Sequence, residues 1–223
     1  VPIKKNINND FFKNWTPEMA YVLGFFFADG SYDVNKNGGE YFSFQIVDRD
    51  LLEKIKKVMD SDHKISVRKR IKLSESTQYR VQVGSKKMCA DLRRVGVTNR
   101  KAYTAKFPHV PTGYVEHFIR GYFDGDGNVW SGLIHPHRTK QTMTLMTAFT
   151  SCSSSFLEGL QNTLVDLGMG RGSLFKRGGA YRLQYSAKDS IILFDLMYGR
   201  PVCRGLFLER KKKVFEKFIE SKK

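Results

Sequence analysis

From Met19 to Ala28 the chain reads MAYVLGFFFA, apolar on every side of a helix rather than along one stripe. Such a segment predicts a helix that is buried all round. Thr16-Pro17-Glu18 supplies its start, with an N-cap hydroxyl, proline at the first helical position and an acid in the first turn. Asp29-Gly30 ends it. The pattern then switches to a period of two, Phe42, Phe44 and Ile46 alternating with Ser43 and Gln45, which predicts strands near 30–36 and 40–47. An amphipathic helix is expected over Leu51–Met59, a second hairpin over His63–Arg70 and Gln78–Val83, and a closing helix over Met88–Val95.

The same order is written a second time. Gly24 and Asp29 recur at a common offset as Gly121 and Asp126. FQIVDRDLLEKIKKVM (44–59) aligns with FTSCSSSFLEGLQNTL (149–164), and YRVQVGSKK (79–87) with YRLQYSAKD (181–189). The length differences between copies fall in the HPHRTKQT loop and before the second hairpin, where a structural duplication tolerates them. The expected fold is therefore α+β, two pseudo-symmetric αββαββα repeats. The predicted organisation is an N-terminal segment (1–14), a first repeat (15–97), an irregular basic linker (98–112), a second repeat (113–199) and a basic C-terminal helix (200–223). That last helix is either a solvated surface or a strip that touches phosphates.

Charge narrows the partners. The 223 residues include 38 Lys or Arg against 22 Asp or Glu, a formal net charge of +16. Such an excess favours a polyanion, and nucleic acid is the usual one. No apolar run reaches the roughly 18–20 residues a membrane-spanning helix needs, and no signal-peptide layout is visible. Cys89, Cys152 and Cys203 form no CxxC pair and read as reduced thiols of an intracellular protein. His135 and His137 lack cysteine or acidic partners, so zinc is not expected there.

Small residues recur four apart in both copies, Gly24 with Ala28 and Gly121 with Gly125, on the one helix expected to be buried. Two such helices packed together would join the repeats about a pseudo-twofold axis and set Asp29 beside Asp126. Carboxylates about 6 Å apart repel by roughly 3 kcal/mol at an effective dielectric near 20, and both stand at the negative end of a helix dipole. A divalent-cation site needs such a cluster; a helix stop and turn does not. Oxygen ligands, with the carbonyls of Ala28 and Gly125 nearby, suit Mg²⁺ better than zinc. DGDGN (124–128) is not a calcium EF-hand loop, because Val129 and His135 stand where glycine and glutamate are required.

With Phe42, Phe44 and Ile46 facing the core, Ser43 and Gln45 face outward. Ser66, Arg68 and Arg70 share one face of the second hairpin, with Arg80 and Gln82 alongside; Arg171, Ser173, Arg182 and Gln184 are their counterparts. Ser31, Asp33 and Asn35, and in the second copy Asn128, Trp130 and Thr150, complete the candidate contacts. Side chains of this kind read base edges in the major groove. A solvated face carries such residues too, but residues 64–80 hold six basic groups and one acid.

VLGFFFADG (22–30) and IRGYFDGDG (119–127) resemble the paired signature of the LAGLIDADG homing endonucleases in their single-chain, two-repeat form. The resemblance extends over about residues 15–215. It implies antiparallel β-saddles over double-stranded DNA, a monomer with an internal pseudo-twofold, and motif helices that bring one metal-binding acid from each half, here Asp29 and Asp126. It further implies Mg²⁺ as cofactor, with Mn²⁺ as substitute and Ca²⁺ supporting binding without cleavage. The family's polar residue after the second strand falls at Asp48 and Ser153, and its lysine after the fourth strand at Lys86 and Lys188. One departure exists: the sixth motif position is Asp124 in the second copy but Phe27 in the first. The implied activity is hydrolysis of one phosphodiester per strand in a long, largely non-palindromic site. The rival is a DNA- or RNA-binding relative, such as a splicing maturase or transcription factor, that keeps the fold without cleaving.

Overall fold

Thr16 opens the first helix as expected: its hydroxyl accepts the Met19 amide at 3.0 Å and Pro17 takes the first turn. A computed structural model of the chain describes residues 5–68, 76–98, 101–134, 142–199 and 205–222. The first repeat runs α1 (Pro17–Asp29), β1 (Gly30–Val34), β2 (Glu40–Ile46), α2 (Arg49–Val58), β3 (Ser66–Arg68), β4 (Gln78–Gly84) and α3 (Lys86–Arg94). A one-turn helix α4 (Lys101–Thr104) and a 3-10 turn (Thr112–Tyr114) interrupt the stretch expected to be irregular. The second repeat is α5 (Val115–Asp126), β5 (Gly127–Ile134), β6 (Thr142–Ser151), α6 (Ser154–Asp166), β7 (Ser173–Arg177), β8 (Ala180–Tyr185) and α7 (Ala187–Tyr198), followed by α8 (Glu209–Glu220). Arg70, the tip of its hairpin, and the His135 and His137 loop lie outside the described residues.

The two sheets have one topology, β1-β2-β4-β3 and β5-β6-β8-β7, all antiparallel. Each packs one face on helices. Phe42 and Phe44 of β2 and Leu145 and Phe149 of β6 are fully buried on that side, where Phe26 meets Phe44 and Phe123 meets Phe149 edge-on. The alternation that predicted the strands is thus the alternation that loads one face with aromatic rings.

Between the sheets stand α1 and α5. Met19–Phe27 are buried without interruption, as the all-round apolar pattern requires. The helices touch through their glycines. A Cβ on Gly24 would stand 2.0 Å from the Phe118 carbonyl oxygen, and one on Gly121 would stand 2.0 Å from that of Tyr21. Only hydrogen at those positions allows the backbones to come so close.

The basic C-terminal helix is neither fully solvated nor a free strip. Phe215 and Phe218 are buried on α8, and the Phe215 ring meets those of Phe123, Phe194 and Tyr198. No helix among the described residues is long and apolar enough to cross a membrane.

Candidate functional site

Both motif helices end on a glycine in extended backbone, Gly30 with φ −83° and Gly127 with φ −87°. Neither glycine serves a left-handed turn. Each makes room for a ring, because a Cβ would stand 2.3 Å from Phe26 at Gly30 and from Phe123 at Gly127. Close packing therefore sets where each helix stops and where the aspartate before it stands.

The helix crossing brings these ends together. A Cβ on Gly125 would meet the Ala28 Cβ at 2.3 Å and Asp29 Oδ2 at 3.2 Å, so the Asp29 carboxylate leans on the end of α5. Asp29 and Asp126 are both half-buried. Their charges act on the same neighbours: both favour the ammonium form of Lys211, and both raise the Tyr122 hydroxyl, which burial already pushes well above its ordinary value. A cavity of about 720 Å³ opens beside them, walled by Ala28, Ser31, Asp33, Tyr103, Tyr122 and Asp126.

Lys211, from the first turn of α8, completes the centre. Its ammonium donates to the main-chain oxygens of Phe123 and Gly127 at 2.6 Å and of Asp124 at 2.8 Å, and reaches that of Gly125 at 3.4 Å. Burial pushes its pKa down to about 8, against the charges of Asp124, Asp29 and Asp126. Asp124 is fully buried beside it and accepts from Tyr21 Oη at 2.6 Å and the Leu208 amide at 3.0 Å; burial raises its carboxyl to about 6 despite those bonds. In the first repeat the same position is Phe27, which stacks on Phe156.

Asp48 and Ser153 follow the second strand of each half, as expected, but are engaged differently. Asp48 Oδ2 receives Arg210 Nη2 at 3.0 Å, so neighbouring residues of α8 reach both halves. The Ser153 hydroxyl caps α6 through the Phe156 amide and donates to the Ala105 carbonyl at 2.7 Å.

Lys86 and Lys188 are not brought to this centre. Both are exposed at the starts of α3 and α7, five residues past Val81 and Leu183. Those two positions lie two strands over from Gly30 and Gly127. At about 4.8 Å per strand and 3.3 Å per residue, the separation from the motif end is on the order of 20 Å. The lysine that stands at a motif end is Lys211, which a local pattern does not single out from the cationic run 210–213.

Most of the expected outward-facing residues share the helix-free side of their sheets. Ser31 pairs with Ser43, Ser43 with Gln82, Gln45 with Arg80, and Arg80 with Ser66; Asp33 and Arg68 lie in the same alternation. On the second sheet Asn128, Trp130, Thr150, Ser173, Arg182 and Gln184 share the equivalent side. Two differ. Asn35 accepts the Asn37 and Gly39 amides and holds the β1–β2 turn. Arg171 precedes β7, behind Gly172 with its φ of +65°, and its carbonyl is tied back to Gln161 of α6. Met146 and Phe175 on the same side escaped the sequence reading, which took Trp130 but otherwise only polar groups.

Comparison with known proteins agrees with this architecture. Residues 16–102 match the model of the LAGLIDADG-like domain. The LAGLIDADG meganuclease I-AabMI bound to uncleaved DNA superposes with a TM-score of 0.61 at 17% identity, covering 93% of this chain and 90% of its own. I-LtrWI, a LAGLIDADG homing endonuclease bound to target DNA, gives 0.62 at 14%, covering 96% and 90%. I-SmaMI bound to cleaved DNA gives 0.59 at 16%, covering 93% and 88%. An uncharacterized protein of Methanocaldococcus jannaschii, MJ0398, is 25% identical over 237 aligned positions, covering 97% of this chain and 79% of its own length. The fold is that of the two-repeat meganucleases. The first repeat is the part of the chain that matches the LAGLIDADG-like domain.

The donor set at the motif ends fits a hard divalent cation. It is oxygen only, Asp29 and Asp126 with the carbonyl ends of two helices; among the described residues no group of three or more His, Cys, Asp or Glu is assembled, at the motif ends or elsewhere. The Gly125 carbonyl is shared with Lys211, which weakens it as a ligand.

Proposed function

We propose that the chain is a site-specific, metal-dependent double-strand DNA endonuclease. The observation that carries this is the convergence of one aspartate from each repeat, Asp29 and Asp126, at the ends of two helices that cross through glycine. A structural design has no use for two carboxylates at the negative ends of two dipoles. Asp29 and Asp126 would hold Mg²⁺ or Mn²⁺ with Ala28 and, more weakly, Gly125. A bound cation supplies a water of lowered pKa and charge neutralisation at the phosphate.

The protein's own groups do the rest. Lys211 holds the end of α5 in place and puts a positive charge beside the carboxylates, where it offsets charge developing on a phosphoryl oxygen. Asp48, fixed by Arg210, is poised to orient solvent on the first half only. The helix-free faces of the two sheets would lie against the duplex, with Arg80, Gln82, Gln45, Arg68, Arg182 and Gln184 reaching base edges. Because the two faces differ in sequence, the site is not a palindrome, and one chain reads both halves as a monomer.

The test is selection from a randomised duplex pool in Ca²⁺, transfer of the bound complexes to Mg²⁺, and sequencing of any ends produced. Discrete double-strand breaks, absent with Asp29→Asn and Asp126→Asn, are expected. Selective binding with intact DNA in both Mg²⁺ and Mn²⁺ would leave a non-cleaving binding protein instead.

A further inference from the structure

The two sheets offer unlike chemistry on their helix-free sides. On the first, the described side chains in the face register all carry hydrogen-bonding groups: Ser31 and Asp33 on β1, Tyr41, Ser43 and Gln45 on β2, Gln78, Arg80 and Gln82 on β4, with Tyr41 the one ring among them. They bond to one another, Arg80 Nε to Ser43 Oγ at 3.2 Å, Ser43 to Ser31 at 2.8 Å, and Gln45 to Gln78. A preformed network of this kind suits donors and acceptors on purine edges.

The second sheet interrupts its polar groups with methyls and rings. Trp130 pairs with Met146, Gly132 with Thr144, Asn128 with Ala148, and Phe175 with Arg182. Trp130 and Phe175 stay 42% and 37% exposed, too much for side chains that serve only as core. Glycine lets the indole lie along the strand, because a Cβ on Gly132 would stand 2.5 Å from Trp130 Cζ2. Ala148 lies on this side, not on the helix side, but is fully buried, so the accessible apolar groups are those of Trp130, Phe175, Met146 and the threonines. Thr144 and Thr150 carry a methyl each. Arg177 and Arg182 keep the face cationic, which fits a nucleic-acid occupant better than an apolar one.

Apolar contact from Ala, Thr and Phe is how a protein recognises the thymine 5-methyl group, the one apolar group on a base edge in the major groove. We infer that the half-site under β5–β8 is thymine-rich and read through its methyl groups, whereas the half-site under β1–β4 is read by hydrogen bonds. This rests on the reading of the chain as a DNA endonuclease.

The experiment uses the full chain and the target recovered by selection. Arg80→Ala, which relaxes base preference in one half only, marks the half under the first sheet. Deoxyuridine then replaces thymidine in one half at a time, which removes methyls and leaves pairing intact, and binding is measured in Ca²⁺. The expected result is a loss of about fourfold per contacted methyl in the second half, the equivalent of one buried carbon, and less than twofold in the first. Phe175→Gln, checked for an unchanged melting temperature, is expected to erase part of that loss. Equal sensitivity of both halves, insensitivity of both, or a selected second half poor in thymine overturns the inference and leaves the endonuclease reading intact. Failure to select any sequence overturns the endonuclease reading itself. Concentration-dependent dimerisation of the free chain that covers Trp130 and Phe175 would assign the face to a second copy and likewise overturn the inference.

Discussion

The Lys211 ammonium donates to the main-chain oxygen of Gly127 at 2.6 Å, which fastens the last helix to the residue after the second motif aspartate. The same nitrogen serves Phe123 and Asp124. Carbonyls at a helix C-terminus have no partner within the helix and carry the negative end of its dipole. One buried cation therefore satisfies several of them. Lys211→Met keeps the apolar stem and removes every donor; the expected loss is about 3 kcal/mol, the scale of charged hydrogen bonds and stranded buried acceptors. Urea unfolding measures it, and a loss under about 1 kcal/mol would show that water replaces the ammonium without cost.

On the proposed function, Lys211 is expected to make stability and cleavage respond oppositely to pH. Its folded value near 8 lies below the ordinary lysine value of 10.5. Between those values the unfolded chain binds more protons, so this group makes stability rise with pH, by roughly 3 kcal/mol at most over the whole interval. If cleavage uses the ammonium, as proposed above, its rate is expected to fall as pH passes about 8. Melting temperatures of the parent and Lys211→Met from pH 7.5 to 10, together with single-turnover rates, check both signs. A parent protein that loses stability relative to the variant over that range would refute the assignment.

The helix crossing leaves no room for even one methyl. Because a Cβ on Gly24 or Gly121 would meet a backbone oxygen, no rotamer change relieves it. Gly24→Ala and Gly121→Ala are each expected to cost about 3 kcal/mol or more, the upper range of overpacking. Gly84→Ala, where a Cβ meets nothing within 4 Å, should stay within about 0.5 kcal/mol. Equal effects at all three positions would mean that the helices do not meet as described.

The residues legible in the sequence are those whose reason is local. The small-residue spacing of Gly24 and Ala28, the unbroken apolar run beside it and the strand alternation of Phe42 and Phe44 all act over a few positions, and the spacing recurs at Gly121 and Gly125. Lys211 was not legible. Its partner Gly127 is 84 positions away, and nothing local says which of four consecutive cations tertiary packing will bury. Lys86 and Lys188 pose the converse problem: they align across the repeat, yet each follows a strand separated by one other strand from the strand after the motif aspartate. Met146 and Phe175 were passed over because apolar residues in a strand are read by default as core, and only the pairing register shows that they are not.

Asp124 is a buried acceptor with two donors aimed at it. Tyr21 Oη and the Leu208 amide both bond to its Oδ2. Asp124→Leu leaves both donors stranded and is expected to cost about 3 kcal/mol. Adding Tyr21→Phe removes one of them, so the double variant should be at least about 1 kcal/mol more stable than the sum of the single losses implies. Denaturant unfolding of the four proteins closes the cycle. Strict additivity would mean that the hydroxyl bonds elsewhere once the carboxylate is gone.

Asp48 separates a structural role from a chemical one. Its bond to Arg210 is partly exposed, with side-chain accessibilities of 24% and 56%, so the pair should contribute under about 1 kcal/mol to stability. Asp48→Ala is therefore expected to melt nearly as the parent does. Its counterpart Ser153 is committed to capping α6 and to the Ala105 carbonyl, so the two halves do not share this feature. If Asp48 orients solvent at one phosphate, the variant should cut one strand at least tenfold more slowly, within the range of general acid–base effects, and the other nearly normally. Duplexes labelled on each strand in turn give both rates from single-turnover reactions. Equal slowing of the two strands, or slowing that follows the melting temperature, would assign Asp48 to the fold and leave the chemistry to Asp29 and Asp126.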